Sequence, residues 1–165
     1  MKNVKRAVFF GLSISLLLGA ASCGTTDEVT DEKPNESIAE SMTYPIKNIA
    51  DGYLTGNEQE GIGEGGLVIN SQADWEALIA KMNSVNETIE EEPIDFNSMT
   101  VLTYFDQIRG SGGYTVDIVS VVKDGNKLVA KVKKTTPKED AIEIMTQPFM
   151  IGFIQKTDLP IIFVD

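Results

Sequence analysis

The stretch best equipped for recognition runs Arg109-Gly110-Ser111-Gly112-Gly113-Tyr114 and leads into Thr115-Val116-Asp117-Ile118. Arg109 and Ser111 would supply hydrogen-bond donors at a loop tip. Gly112 and Gly113 allow the backbone a sharp turn with positive φ. Tyr114 places a ring where strand alternation resumes, available to the core or to a partner. An exposed loop on a rigid sheet is a usual seat for binding residues. The same glycines would also serve a tight turn and nothing more, and the residues alone leave both readings open.

What the chain lacks narrows the chemistry. It has no histidine and a single cysteine, Cys23. Without histidine there is no Ser-His-Asp triad, no Cys-His pair and no histidine zinc site. Lysine, carboxylate or N-terminal threonine mechanisms survive only formally. No spacing marks catalytic residues, metal ligands or a cofactor, so the expectation is a protein that is not an enzyme. Two apparent motifs dissolve on inspection. Gly61, Gly63 and Gly66 match G-x-G-x-x-G, but they precede the strand-like Leu67-Val68-Ile69 instead of opening a helix. Glu58, Glu60 and Glu64 would also repel a pyrophosphate, so the segment reads as a flexible loop. Glu90-Glu91-Glu92 lacks the alternating oxygen donors and turn glycine of a calcium loop. Trp75 could be a ligand platform, yet its place on an apolar helical stripe reads as core.

The 165 residues carry a net charge of −11. Nucleic-acid recognition relies on clustered Lys and Arg, so such a partner is not expected. The start of the chain is the exception to this acidity. Lys2, Lys5 and Arg6 precede a 15-residue apolar run, Ala7 to Ala21, short of the roughly 20 residues that span a bilayer as a helix. The small residues Gly19-Ala20-Ala21-Ser22 then lead to Cys23. This reads as a secretory signal peptide, and the arrangement resembles the bacterial lipobox, in which the cysteine is lipidated and becomes the first residue of the mature protein. Ala20 stands where leucine is usual. The expected organisation is therefore a signal peptide over 1–22, a lipidated Cys23 with a flexible acidic tether over 23–43, and one globular domain over 44–165. The expected partners are the membrane, through lipid on Cys23, and an extracytoplasmic protein. The expected location is the bacterial cell envelope, at the outer membrane or cell surface if the cell has two membranes.

The elements that must position the loop are legible in outline. Tyr44 to Tyr53 reads as a short strand anchored by Ile46 and Ile49. Ser71 with Asp74 forms a helix start, and Trp75, Leu78, Ile79 and Met82 recur at helical spacing, which predicts a helix over Gln72 to Asn83. Ile94 and Phe96 return to the core. Met99 to Asp106 is apolar on both faces, which predicts a central strand. Tyr114 onward alternates, Asp124-Gly125-Asn126 is a hairpin turn, and Leu128, Ala130 and Val132 oppose Lys127, Lys131 and Lys133 on the return strand. Ala141 to Met145 reads as a short strand. Pro148 and Pro160 fit the first residue or flank of the last two strands. The class is α+β: a mainly antiparallel sheet or small sandwich with one N-terminal amphipathic helix.

Taken in order, Trp75, Ile94-Asp95-Phe96, Gly110-Ser111-Gly112-Gly113-Tyr114, Pro137, Thr146-Gln147-Pro148-Phe149 and Ile161-Ile162-Phe163 resemble the C-terminal domain of the protease complex subunit PrcB family. The resemblance covers about Gly66 to Val164. Members often carry threonine, frequently after Arg-Pro, where Ser111 stands; here Gly110 follows Arg109. The resemblance implies a binding or assembly role, an accessory or adaptor subunit of a surface protein complex that could include a protease, and no known activity. The alternative is a protease inhibitor that presents the Gly-Gly-Tyr loop to an active-site cleft, as chagasin-type inhibitors do with a comparable loop.

Overall fold

The computed structural model describes residues 42–138 and 142–165. The expected signal peptide and tether, with Cys23, lie outside these residues. Seven strands and one helix follow in the order β1 (Lys47–Leu54), β2 (Gly65–Ile69), α1 (Gln72–Met82), β3 (Met99–Phe105), β4 (Thr115–Asp124), β5 (Lys127–Thr135), β6 (Gln147–Gln155) and β7 (Ile161–Val164). Four strands form an antiparallel sheet in the order β1-β6-β3-β2, and three form a second sheet in the order β4-β5-β7. β7 runs parallel to β5, the one departure from an antiparallel plan among the described residues.

Side-chain alternation along β3 and β6 builds two cores and thereby three layers. Val101, Phe105, Phe149 and Ile151 meet the apolar face of α1. Their neighbours on the opposite face, Leu102, Tyr104, Met150 and Ile154, meet Val116, Ile118, Val121, Leu128, Ala130 and Val132 of the second sheet. β3 is apolar on both faces because both are covered, as the sequence predicts. Gly66 closes the sandwich at β2: a side chain there would occupy the ring position of Phe163 on β7.

The helix forms where its signals lie. The Ser71 side chain accepts the Asp74 N–H as N-cap, and Trp75, Leu78, Ile79 and Met82 are its buried residues. Trp75 is fully buried. Its indole N–H donates to the Glu92 carbonyl at 3.1 Å, which ties the acidic segment to the helix. Asp95 then turns the chain into β3. Its carboxylate accepts from the Ser98 hydroxyl and the Asn97 N–H, and these bonds, Ser98's foremost, hold its pKa below the ordinary 3.8.

Several expectations need correction. Residues 142–145 form no strand, and Ala141 lies outside the described residues. The glycine-rich stretch is not a loop throughout: Gly65 and Gly66 belong to β2, and Glu60 is buried, its carboxylate accepting the Gly56 N–H at 2.7 Å. Alternation in β4 does not run straight through. A bulge between Ile118 and Ser120 leaves Val119 exposed and returns Val121 to the core. Pro148 is the second residue of β6, a central strand flanked by β1 and β3, and its carbonyl accepts the Asp106 N–H at 2.9 Å. Pro160, by contrast, flanks β7 as expected, and its carbonyl accepts the Leu128 N–H.

Candidate functional site

β3 ends at Phe105, and the next residue, Asp106, is 1% exposed. Burying a carboxylate demands compensation, and two cations supply it. Asp106 Oδ2 accepts from Arg109 Nη2 at 2.6 Å and from Nε at 3.0 Å. Asp106 Oδ1 lies 3.3 Å from Lys134 Nζ, in ion contact but without hydrogen-bond alignment. Lys134 sits on the inward phase of β5, following Leu128, Ala130 and Val132. Its ammonium also reaches Glu64 at 2.8 Å and Asp165 at 2.9 Å, and stands 5.4 Å over the Tyr104 ring. The Glu64 carboxylate, ahead of the opposing effect of burial, pushes the Lys134 pKa well above the ordinary lysine value. Burial pushes the Tyr104 phenol up.

This ionic node is the floor of the glycine loop. The Arg109 guanidinium stacks 4.6 Å over the Tyr114 ring. Gln107, with its amide oxygen turned toward the guanidinium, accepts from Nη1 at 2.7 Å. The main chain is clasped as well. Arg109 and Thr146 exchange N–H to carbonyl bonds of 2.7 and 3.0 Å. The Thr146 hydroxyl donates to the Ser111 carbonyl at 3.1 Å, and the Gly112 N–H donates to the Ile142 carbonyl at 3.1 Å. Gln147 donates its amide hydrogens to the carbonyls of Asp106 and Ile62. Gly113 takes φ +84°, and a Cβ on it would stand 2.9 Å from Cβ of Pro137.

The five loop residues singled out in sequence are thus brought together, but with altered roles. Arg109 is not a free donor at the tip: its guanidinium is held by Asp106, Gln107 and Tyr114. Ser111 is half-buried and anchored through its carbonyl. Gly112 is buried, Gly113 is exposed, and Tyr114 is half-buried and precedes β4 instead of opening it. The exposed chemistry lies beside the loop. Ile142 is 73% exposed and Tyr53 53%, with Ile144 and Met145 near 40%. A Cβ on Gly112 would touch Ile142 and Ile144, so these side chains border the loop. Lone exposed apolar residues are ordinary, whereas a group of them at one place marks an interaction surface.

Sequence reasoning missed Asp106, Lys134, Glu64 and Asp165 as a unit, because four separate segments contribute them. The one available signal was Lys134, which shares the phase of Leu128, Ala130 and Val132 and so faces inward. Among the described residues no cluster of His, Cys, Asp and Glu could hold a metal ion, and no helix is long and apolar enough to cross a membrane. Comparison with known proteins finds no family model, curated protein or solved structure that matches this chain.

Proposed function

We propose that this chain is a lipid-anchored extracytoplasmic binding domain, an accessory or adaptor subunit that docks another envelope protein against its glycine loop. The carrying observation is the clasped loop with exposed Ile142 and Ile144 against Gly112 and exposed Tyr53 lining a cleft with Gly113 and Tyr114. A loop ordered before binding loses little conformational entropy on association, and large apolar side chains beside it provide area that water leaves on docking. The PrcB resemblance favours a protease-containing complex, and rests on the residues quoted above. Of its marks, Thr146 clasps the loop backbone, and Gln147 holds the carbonyl of Asp106 beside it. Lipid on Cys23 would hold the domain at the envelope, since two or more acyl chains anchor stably.

The test is chemical crosslinking in intact cells, followed by purification of the tagged full chain from detergent extracts. One defined envelope protein should recur with wild type and be lost when Ile142 and Tyr53 are both changed to Asp. Recovery of the chain alone refutes the adaptor role. Cys23→Ser should move the protein to the soluble fraction, and unchanged membrane association refutes the anchor. The same loop rigidity suits a protease inhibitor. Proteolysis assays separate the two, because an adaptor leaves turnover unchanged or raises it, while an inhibitor lowers it in proportion to occupancy.

A further inference from the structure

β4 is an edge strand of its sheet, and its two halves are treated differently. Beyond the bulge, the chain's own residues 42–44 lie against it. Thr43 bridges Val122 in the antiparallel sense, Tyr44 N–H donates to the Val121 carbonyl, and Lys123 N–H donates to the Met42 carbonyl, both at 2.8 Å. Before the bulge, Thr115–Ile118 makes no main-chain hydrogen bond on that side among the described residues, although β1 packs near β4 and stands across a cleft from it. Exposed strand edges are templates for added strands unless something blunts them; the free half holds no proline, its one charge is the carboxylate of Asp117, and the bulge lies at its far end.

A cleft of about 220 Å³ opens beside this half, lined by Asp51, Gly52, Tyr53, Tyr114, Thr115 and Val116. Asp51 and Tyr53 pair with Met150 and Pro148 across β1 and β6. Residues directly opposite share a face of the sheet, and Met150 belongs to the core between the sheets, so Asp51 and Tyr53 face the second sheet from the edge of the first. The cleft therefore joins a carboxylate to the phenol of Tyr53 and to Tyr114, whose ring already carries the Arg109 guanidinium on one face. A few ångströms away the molecule already shows what such a set holds: Arg109 lies over Tyr114 with its guanidinium on Asp106. Asp51 has no ion pair among the described residues and accepts only a neutral hydrogen bond from Asn48. Asp117, also exposed and without an ion pair among the described residues, adds negative charge along the free edge, with Lys133 opposite it on β5.

We propose that Thr115–Ile118 accepts an extended, basic segment of a partner protein as an added strand, with one Lys or Arg side chain entering the cleft between Asp51, Tyr53 and Tyr114. Main-chain bonds to the edge supply affinity without sequence preference, and the cleft supplies selectivity at one position. A cation over an aromatic face beside a carboxylate is favoured on both counts. The net charge of −11 steers a basic segment toward the molecule. The site rests on the binding-domain reading above and names the chemistry of its partner.

The probe is a random dodecapeptide library displayed on phage, selected against the full chain in detergent. Enriched peptides should carry Lys or Arg within a β-branched alternating pattern. A synthetic copy of the leading peptide should protect the amides of Thr115–Ile118 from hydrogen exchange. Asp51→Lys and Tyr53→Ala should each weaken it about tenfold or more, the size of a lost partly desolvated charge or ring contact. Both side chains are exposed, so thermal unfolding should match wild type, and Asp117→Lys offers a second route to the same weakening. Enrichment of acidic or neutral peptides, no enrichment, protection on β2 or β7 instead, or undiminished binding to Asp51→Lys overturns the proposal. If the envelope protein found by crosslinking is retained by Asp51→Lys, the adaptor role stands and this site falls. If peptides behave as expected while nothing crosslinks in cells, the site stands and the adaptor role falls.

Discussion

Asp106→Asn tests the electrostatic floor of the loop at nearly constant shape, so it carries no cavity term. The carboxylate is 1% exposed and receives two N–H groups from Arg109, with Lys134 in ion contact. Removing one partner of a buried ion pair costs about 3–5 kcal/mol, because the other charge stays buried and uncompensated. Two features reduce that figure. Arg109 remains 21% exposed, and Lys134 keeps Glu64 and Asp165. Asparagine can also still accept one hydrogen bond. The expected loss is about 2–3 kcal/mol, which a domain stable by about 5–15 kcal/mol survives. Urea unfolding of the full chain reads it as a lowered midpoint with unchanged slope. Asp117→Asn makes the same chemical change on an exposed strand face and should stay within about 0.5 kcal/mol. Amide exchange from Gly110 to Tyr114 should quicken in Asp106→Asn only. A midpoint equal to wild type, or equal losses in the two variants, refutes the claim that the buried ion pair supports the loop.

Trp75→Ala should lower stability by about 3–5 kcal/mol, while Trp75→Phe, which loses the bond to Glu92 and leaves a smaller cavity, should lower it by about 1–3 kcal/mol; denaturant melts of both variants check the order. Gly113→Ala should destabilise by about 1–2 kcal/mol from its left-handed φ and its contact with Pro137. Gly110→Ala, which meets nothing within 4 Å, should be neutral or slightly stabilising in the same denaturant melts. Lys134 and Tyr104 both hold their protons more tightly in the folded state, against ordinary values of 10.5 and 10.0. Since the unfolded chain releases those protons first, the stability they confer is complete below about pH 10 and declines as pH rises toward the folded values. Unfolding free energies measured from pH 8 upward should fall above about pH 10, and less steeply in Lys134→Met; a flat alkaline limb refutes it.

What the chain declares by itself is its local grammar. Period and capping specify α1, because Ser71, Asp74 and the Trp75 stripe act within a few residues. Two-sided apolarity identifies β3 as central, and the turn at Gly125-Asn126 makes the β4–β5 hairpin. The glycine loop is visible too, since positive φ is a property of single residues. Long-range matters are decided elsewhere. Nothing local makes Arg109 face inward; Asp106 is three residues away, but it is buried only because β6 and Lys134 close over it. The strand expected near 141–145 yields to a clasp, because the Ile142 carbonyl and Thr146 meet the loop backbone instead of a sheet neighbour. The parallel β5–β7 pair and the half-free edge of β4 likewise depend on where distant segments arrive. Sequence periodicity records which side of an element is apolar. Which charges meet, and which edge stays unpaired, are set by contacts between segments far apart in the chain, and these exist only once the layers have packed.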